Sequence, residues 1–121
     1  MTKIWGPITW ELLHCLTLKI NDSFFISNKQ DILLLLNNIL SCIPCPECST
    51  HALLIYNNNK KKIINKTKLI NFFHYLHNEV NKKLKKTIYD ITILDRYKSL
   101  NIRYLLVNWI NATNNLKSIP K

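Results

Sequence analysis

Two cysteines separated by two residues, Cys45 and Cys48, carry the clearest chemical signal in this sequence of 121 residues. Thiols at this spacing are typical of a redox-active pair or of half a metal site. Pro44 precedes the pair, and an apolar, helix-like stretch over residues 52–55 follows it. We therefore expect Cys45 to lie at a helix N-terminus, where free backbone N–H groups and the helix dipole favour a thiolate.

The same region contains a possible metal-ligand set. Cys42, Cys45, Cys48 and His51 follow one another at three-residue intervals, and zinc or an iron–sulfur cluster would accept such ligands. No second group of ligands follows in the sequence, and a proline-flanked pair that leads into a helix suits redox chemistry better. We predict no metal ion, and we interpret Cys42 and Cys15 as small buried hydrophobic residues.

A group of polar residues beside a predicted helix core could bind a ligand. His77, Asn78 and Asn81 recur at helical spacing, and Trp10 and His14 form a similar pair near the N-terminus. Polar groups so close to a core need hydrogen-bond partners. A bound heteroaromatic ligand with amide and carbonyl edges would supply them, although each residue taken singly could be an ordinary polar residue at the edge of a core.

Helices must position these side chains. Apolar periodicity predicts four main helices and two further helical pieces, over residues 9–18, 29–41, 45–56, 67–84, 93–100 and 103–111. Residues 5–7 are predicted to form a turn, and residues 21–27 a connector with Phe24 and Phe25 tucked inward. Ser27 or Asn28 is the predicted N-cap of the second helix.

Two of these predicted helices have long apolar faces. The predicted apolar face of the second helix consists of Ile32, Leu33, Leu35, Leu36, Ile39 and Leu40. The predicted core stripe of the fourth consists of Leu69, Phe72, Phe73, Leu76, Val80 and Leu84. Because 47% of the residues are hydrophobic and only one is glycine, the sequence predicts a single all-α domain over residues 1–121.

The sequence lacks targeting and membrane signals. No run of about 18 uncharged apolar residues is present, so we predict no transmembrane segment. The N-terminus lacks the apolar region of a signal peptide. We therefore expect a cytoplasmic protein that is not secreted.

The net charge is +10, from 17 Lys and Arg against 7 Asp and Glu. Such a charge can indicate nucleic acid, an anionic membrane or a phosphate-bearing ligand. Abundant Asn, Lys and Ile would also follow from AT-rich codon usage, and no zinc-finger, RNP or Gly-rich pattern is present. We expect no nucleic-acid partner; a metal-binding module that docks nucleic acid and a helical interaction protein with incidental cysteines are the alternatives.

Three motifs together resemble the Erv/ALR family of FAD-linked sulfhydryl oxidases. They are Trp5-Gly6-Pro7-x-x-Trp10-x-x-Leu13-His14, Pro44-Cys45-x-x-Cys48-x-x-His51 and His77-Asn78-Glu79-Val80-Asn81-Lys82-Lys83-Leu84. Their order and spacing are similar to the family's over about residues 5–90, and the short chain is similar to the small members encoded by large DNA viruses. Residues 92–121 lie beyond the resemblance, and their apolar content indicates an additional packing or dimer element.

The resemblance implies a four-helix bundle that cradles FAD, with an additional helical C-terminal segment, usually in a non-covalent homodimer. It implies FAD-dependent thiol oxidation, in which electrons pass from substrate thiols through the disulfide to FAD and O2, producing H2O2. Cys45 would exchange with the substrate thiol, and Cys48 would lie next to the flavin. By position in the motifs, the implied FAD contacts are Trp10, His14, His77, Asn78, Asn81 and Lys83, with Lys82 and Lys86 as candidates for the phosphates.

The implied partners are a thiol-bearing protein substrate or a small dithiol shuttle protein, in the cytoplasm of a host cell or in a virion. The sequence departs from the family pattern at a few peripheral positions. Pro7 replaces a basic residue of cellular members, and His74 and Ile91 stand where those members have an extra structural disulfide. Lys19 replaces an aromatic residue, and Tyr97 is the candidate for the aromatic residue near the adenine.

Overall fold

The computed structural model describes residues 5–117, with side chains described over residues 6–113, and all its regular elements are helices. Six α-helices, α1 to α6, span Trp5–Lys19, Asp22–Ser27, Lys29–Ser41, Pro46–Asn59, Lys66–Lys83 and Ile102–Lys117. Two 3₁₀ helices span Lys60–Lys62 and Ile91–Tyr97. The predicted all-α class is confirmed. No helix in this part of the chain is long and apolar enough to cross a membrane.

One continuous core joins the four longer helices that precede residue 90. Helix α5 packs against both α1 and α4, and α3 packs against α4. Buried side chains from all four meet in this core, including Leu13 of α1, Leu36 of α3, Tyr56 of α4 and Phe73 of α5. The Tyr56 hydroxyl donates a 2.6 Å hydrogen bond to the Leu33 carbonyl oxygen, which ties α4 to α3.

The helix predicted over residues 29–41 agrees with α3 at both ends, and α4 and α5 agree to within a few residues. The predicted turn over residues 5–7 is wrong, because α1 begins at Trp5 and includes Pro7 in its first turn. Proline is tolerated there, since the N–H that it lacks would have no partner inside the helix.

The predicted connector over residues 21–27 is wrong in the same way, because most of it forms the short helix α2. The Asn21 side chain caps α2 by accepting a 2.9 Å hydrogen bond from the Phe24 N–H. Phe25 is buried as predicted, whereas Phe24 is 55% exposed. Consecutive residues of a helix point in different directions, so α2 buries only one of the two rings.

Three further burial predictions are wrong. Leu35 and Leu84 are each 46% exposed, because Leu35 lies on the outer side of α3 and Leu84 follows the last residue of α5. Cys42 is half-buried at the end of α3, whereas Cys15 is fully buried as predicted. Asn28 occupies the N-cap position of α3 as predicted, but its amide donates to the Phe24 carbonyl oxygen and does not cap the helix.

The C-terminal helix α6 covers α1. The Trp109 Nε1–H donates a buried 3.1 Å hydrogen bond to the Thr9 hydroxyl, and Leu105 and Thr113 are buried on the same side of α6. The two helical pieces predicted over residues 93–100 and 103–111 correspond to the 3₁₀ helix Ile91–Tyr97 and to α6. Over residues 92–113, this segment therefore extends the core and packs onto the helix that carries Trp10 and His14.

Candidate active site

The Cys45–Cys48 pair lies at the start of α4 and forms a disulfide, with the two Cα atoms 5.2 Å apart. Cys45 is the N-cap residue, and its Sγ accepts a hydrogen bond from the Cys48 N–H at 3.3 Å. Pro46 fills the first helical position, where its missing N–H costs nothing. The predicted position of Cys45 at a helix N-terminus is confirmed, and this position favours its thiolate form when the disulfide opens.

Neighbouring contacts hold the start of α4 in place. The Ser49 hydroxyl, one residue after Cys48, donates a buried 2.8 Å hydrogen bond to the Leu40 carbonyl oxygen at the end of α3. Ile43 is buried between the two helices, and both disulfide cysteines are half-buried. The disulfide is thus positioned on a rigid corner and remains accessible.

A cavity of about 1150 Å³ opens beside the disulfide. Its walls come from the start of α4, from α1, from α5 and the loop after it, and from the 3₁₀ helix Ile91–Tyr97. The lining residues that matter for chemistry are Cys45, Cys48, Trp10, His74, His77, Asn78, Asn81, Lys85, Lys86, Arg96 and Tyr97.

One wall of the cavity is flat and aromatic. The rings of Trp10 and His77 stack with centroids 4.0 Å apart and planes 8° apart. His14 Nε2 and His77 Nδ1 are 2.9 Å apart and share a hydrogen bond. The His14 ring also contacts Tyr97, at a centroid distance of 5.0 Å. Side chains from α1 and α5, together with one from the 3₁₀ helix, therefore form one aromatic cluster.

Both histidines of this cluster are neutral at pH 7. Burial lowers the pKa of His14 to about 3, and repulsion by the protonated forms of His77 and His74 acts in the same direction. Burial also lowers the pKa of His77 to about 4, helped by His74 and Lys86. Neutral rings present one N–H donor and one lone pair each, which suits an uncharged heteroaromatic ligand.

Asn78 holds the loop that follows α5. Its amide nitrogen donates to the Tyr89 carbonyl oxygen at 2.8 Å, and its amide oxygen accepts from the Tyr89 N–H at 3.0 Å. His74 Nε2 lies 2.8 Å from the same carbonyl oxygen and donates to it. Because Asn78 makes both of these backbone contacts, it fixes the far end of the loop that borders the cavity.

The near end of that loop turns sharply. The Lys86 N–H donates to the Asn81 carbonyl oxygen at 2.8 Å, and the Lys85 N–H donates to the Lys82 carbonyl oxygen at 3.1 Å. This is the Schellman pattern of a helix C-terminus, which requires a left-handed residue. Lys85 takes that position, with φ 59°, and the reversal brings Lys85 and Lys86 to the cavity.

The cavity collects most of the residues that the motifs indicate. Both cysteines, Trp10, His77, Asn78, Asn81 and Lys86 line it, and His14 lies behind Trp10 and His77. Lys82 and Lys83 are not among the lining residues, and exposed Lys82 pairs with Glu79 at 3.0 Å. Sequence reasoning missed Lys85 and Arg96; Lys85 lies in the lysine run after α5, but no motif points to Arg96.

The alternative metal site is not formed in the described part of the chain. Over residues 6–113, no group of three or more His, Cys, Asp or Glu side chains is arranged to hold a metal ion. Cys45 and Cys48 are joined to each other, so their sulfur atoms are not available as thiolate ligands beside Cys42 and His51.

Comparison with known proteins identifies the family. The family model described as "Erv1 / Alr family" matches residues 7–104. The chain belongs to the Erv1/Alr family. The match continues past the three sequence motifs and includes the 3₁₀ helix that contributes Arg96 and Tyr97 to the cavity.

Curated relatives of this Erv1/Alr chain include viral and cellular proteins. It is 29% identical over 99 residues to the "Putative FAD-linked sulfhydryl oxidase 096R" of Invertebrate iridescent virus 3, across 79% of this chain and 67% of that protein. It is 29% identical over 84 residues to the "FAD-linked sulfhydryl oxidase" of African swine fever virus (isolate Pig/Kenya/KEN-50/1950), across 69% and 71%. The "FAD-linked sulfhydryl oxidase ERV2" of Saccharomyces cerevisiae is 28% identical over 93 residues, across 76% and 47%. No solved structure gives a significant match.

Proposed function

We propose that this chain is an FAD-linked sulfhydryl oxidase, which converts thiols into disulfides and passes their electrons to O2. One observation carries the proposal: the Cys45–Cys48 disulfide lines the same cavity as the Trp10–His77 stack. A redox pair and a flat aromatic wall are thus both within reach of one bound ligand. The names of the viral and yeast relatives support the same activity.

The shape of the cavity suits a flavin dinucleotide. Its volume of about 1150 Å³ exceeds the roughly 300–1,000 Å³ typical of sites for drug-sized ligands. The flat Trp10–His77 stack suits a planar ring system. The buried Asn81 amide lines the cavity without a protein hydrogen bond among the described residues, so a ligand edge with donors and acceptors would satisfy it.

The cavity also supplies cations for a diphosphate. Lys85, Lys86 and Arg96 all line it, and cationic side chains form strong, charge-assisted hydrogen bonds to phosphate oxygens. We propose these three residues as phosphate contacts in preference to Lys82 and Lys83, which lie outside the cavity wall. Part of the +10 charge of the chain then has a local role.

The first chemical step is thiol–disulfide exchange at Cys45. A substrate thiolate attacks the Cys45 sulfur, forms a mixed disulfide and releases Cys48 as a thiolate. A second substrate thiolate then attacks the substrate sulfur of that bond and releases Cys45. Cys45 is the better final leaving group, because the Cys48 N–H and the N-terminus of α4 stabilise its thiolate.

The products of this exchange are one substrate disulfide and the reduced Cys45–Cys48 dithiol. When bound, FAD supplies the two-electron acceptor for this dithiol, with O2 as the final acceptor and H2O2 as the product. Cys48 lines the cavity within the first turn of α4, which supports its role as the thiol beside the ligand. Trp10, His77 and Asn81 would hold the planar ring, and His14 acts behind His77.

Two measurements test the proposed activity. The purified protein should carry a visible flavin absorption band, and denaturation should release FAD. Cys45→Ala and Cys48→Ala should each abolish oxidation of dithiothreitol, measured as O2 consumption and H2O2 formation. Cys42→Ala is the matched control and should keep the activity, because Cys42 is a free thiol outside the disulfide. A colourless protein, or full activity in either disulfide variant, would refute the proposal.

We infer that the physiological electron donor is a separate thiol-bearing protein or a small dithiol shuttle. Besides Cys45 and Cys48 the chain has only Cys15 and Cys42, and Cys15 is fully buried. Burial also raises the pKa of the Cys15 thiol, which disfavours its reactive thiolate. Cys48→Ala should trap the donor as a mixed disulfide with Cys45, whereas Cys45→Ala should trap none; equal recovery from both variants would contradict the inference.

We propose that the chain forms a homodimer through the outer side of α6. Tyr104, Val107 and Ile110 recur every three residues on this helix, and all are exposed, Tyr104 to 66%. Such a row of exposed apolar side chains is typical of an interaction surface. Val107→Glu should produce a monomer in sedimentation experiments, and Asn111→Glu, a charge added at an exposed polar position of the same helix, should not. A monomeric wild-type protein would refute the dimer.

We also propose that the protein acts in the cytoplasm of a host cell or in a virion. The support is its similarity to proteins of two large DNA viruses. Fractionation of infected cells and of purified virions should recover the protein with cytosolic or virion markers. Recovery with markers of the secretory lumen would refute this location.

A further inference from the structure

The buried pair His14–His77 has an unusual hydrogen-bond pattern. His14 is only 1% exposed, and its Nε2 lies 2.9 Å from His77 Nδ1. Its other ring nitrogen, Nδ1, is enclosed and has no hydrogen-bond partner among the side chains of residues 6–113 or the backbone of residues 5–117. His14 therefore has one satisfied ring nitrogen and one orphan, and its contact with His77 must carry a single proton.

Two arrangements of that proton are possible for neutral rings. In one, His14 Nε2–H donates to His77 Nδ1, and the orphan His14 Nδ1 is a bare lone pair. In the other, His77 Nδ1–H donates to His14 Nε2, and the orphan His14 Nδ1 carries a proton. Each arrangement also fixes the second nitrogen of His77, which is an N–H in the first case and a lone pair in the second.

The orphan atom decides between the two arrangements. A buried N–H without an acceptor is rare in proteins and loses its full hydration, whereas an unsatisfied acceptor is tolerated more often. His14 Nδ1 is therefore the unprotonated nitrogen, and His14 Nε2–H is the donor. His77 accepts at Nδ1 and must carry its own proton at Nε2.

His77 Nε2 is the ring nitrogen left for the cavity. Among the described residues it has no hydrogen-bond partner, and it is not an enclosed atom as His14 Nδ1 is. His77 itself lines the cavity, with its ring stacked on Trp10. The cavity therefore presents an N–H donor in the plane of the aromatic wall.

We propose that His14 is a positioning residue, which donates from its Nε2 to His77 and thereby fixes His77 as the Nε2–H tautomer. The wall beside Trp10 then selects the ligand edge that carries an acceptor, a carbonyl oxygen or an unprotonated ring nitrogen. The identity of the ligand as a flavin rests on the proposed function, whereas the tautomer does not. His14 sets this preference although it does not line the cavity.

The test is ¹⁵N NMR of the histidine rings in the full chain as purified, since protonated and unprotonated ring nitrogens resonate far apart. At pH 7 we expect His14 and His77 to be protonated at Nε2 only, with a coupling through the hydrogen bond between His14 Nε2 and His77 Nδ1. A His77 ring protonated at Nδ1 would overturn the proposal without any variant.

Two variants then test whether His14 sets the tautomer. His14→Phe fills the space but removes the donor, so both tautomers of His77 should be present. His14→Gln can donate from its amide, so a single Nε2–H tautomer should return. A single Nε2–H tautomer in His14→Phe would show that His14 does not control it, and would overturn the proposal.

The same variants separate the positioning role of His14 from the proposed function. For the flavin-bound protein, loss of one neutral hydrogen bond should speed the release of FAD from His14→Phe about fivefold relative to His14→Gln. Equal release rates would overturn the claim that the tautomer of His77 selects the ligand edge. A protein with the expected tautomers but no flavin would refute the proposed function alone.

Discussion

Acidification from pH 7 to pH 5 should destabilise the fold, because two buried histidines are neutral in the native state. Burial holds the pKa of His14 at about 3 and that of His77 at about 4, against 6.5 for an exposed ring. Below pH 6.5 the unfolded chain therefore binds protons that the native state excludes. The free energy of unfolding should keep its full value above pH 6.5. It should fall as the pH drops from 6.5 toward the native pKa values of the two histidines.

The size of the effect follows from these values. Each histidine should lower the free energy of unfolding by about 1.4 kcal/mol per pH unit below 6.5. At pH 5 this amounts to about 2 kcal/mol for each ring and about 4 kcal/mol for the pair. Small domains have only about 5–15 kcal/mol of stability, so the loss should be easy to measure.

Urea unfolding at pH 7, 6 and 5, followed by circular dichroism at the same flavin content, measures this loss. The midpoint should fall by about 1–4 M urea between pH 7 and pH 5. His14→Gln should remove about half of the pH dependence, whereas the core control Ile39→Val should cost about 0.5–1.5 kcal/mol equally at every pH. Equal free energies of unfolding at pH 7 and pH 5 in the wild type would refute the reasoning.

Three other substitutions test single features of the structure. Lys85→Gly should raise the free energy of unfolding by about 1 kcal/mol, because the backbone of Lys85 is in the left-handed conformation. It should also speed flavin release, because the cavity loses a cation. Slower release would contradict the proposed phosphate contact of Lys85. Asn78→Ala should free the Tyr89 backbone and lower the free energy of unfolding by about 1–3 kcal/mol, with faster amide exchange over residues 84–90. Unchanged exchange would show that Asn78 does not hold this loop. Trp109→Phe should cost about 1–3 kcal/mol in thermal unfolding, because the Thr9 hydroxyl loses its donor, and the flavin should stay bound; loss of flavin would show that α6 also shapes the site.

The sequence predicts best where one strong local signal determines the structure. The boundaries of α3 follow from its dense apolar face, which predicts a helix over the same residues that form it. The position of Cys45 follows from the prolines on either side of it, because Pro46 starts a helix readily and Pro44 cannot continue one. In both places the local preference and the final packing agree.

Prediction fails where the position of a side chain depends on chain geometry beyond its own helix. The four lysines of this run, Lys82, Lys83, Lys85 and Lys86, look alike in the sequence, but a left-handed turn at Lys85 brings only Lys85 and Lys86 to the cavity. The partner of Asn78 is a backbone segment eleven residues away, which no local pattern identifies. Arg96 reaches the cavity only because the 3₁₀ helix Ile91–Tyr97 packs against α1 and α5.

The space beside the disulfide depends on a residue that the sequence does not mark as functional. Ala52 lies one helical turn after Cys48 on the same side of α4, and it borders both the core and the cavity. In the sequence it resembles any small core residue of an apolar helix. A larger side chain at this position would extend over Cys48 and occupy part of the cavity. The small size of Ala52 therefore keeps the redox pair open to a ligand, in addition to its role in packing.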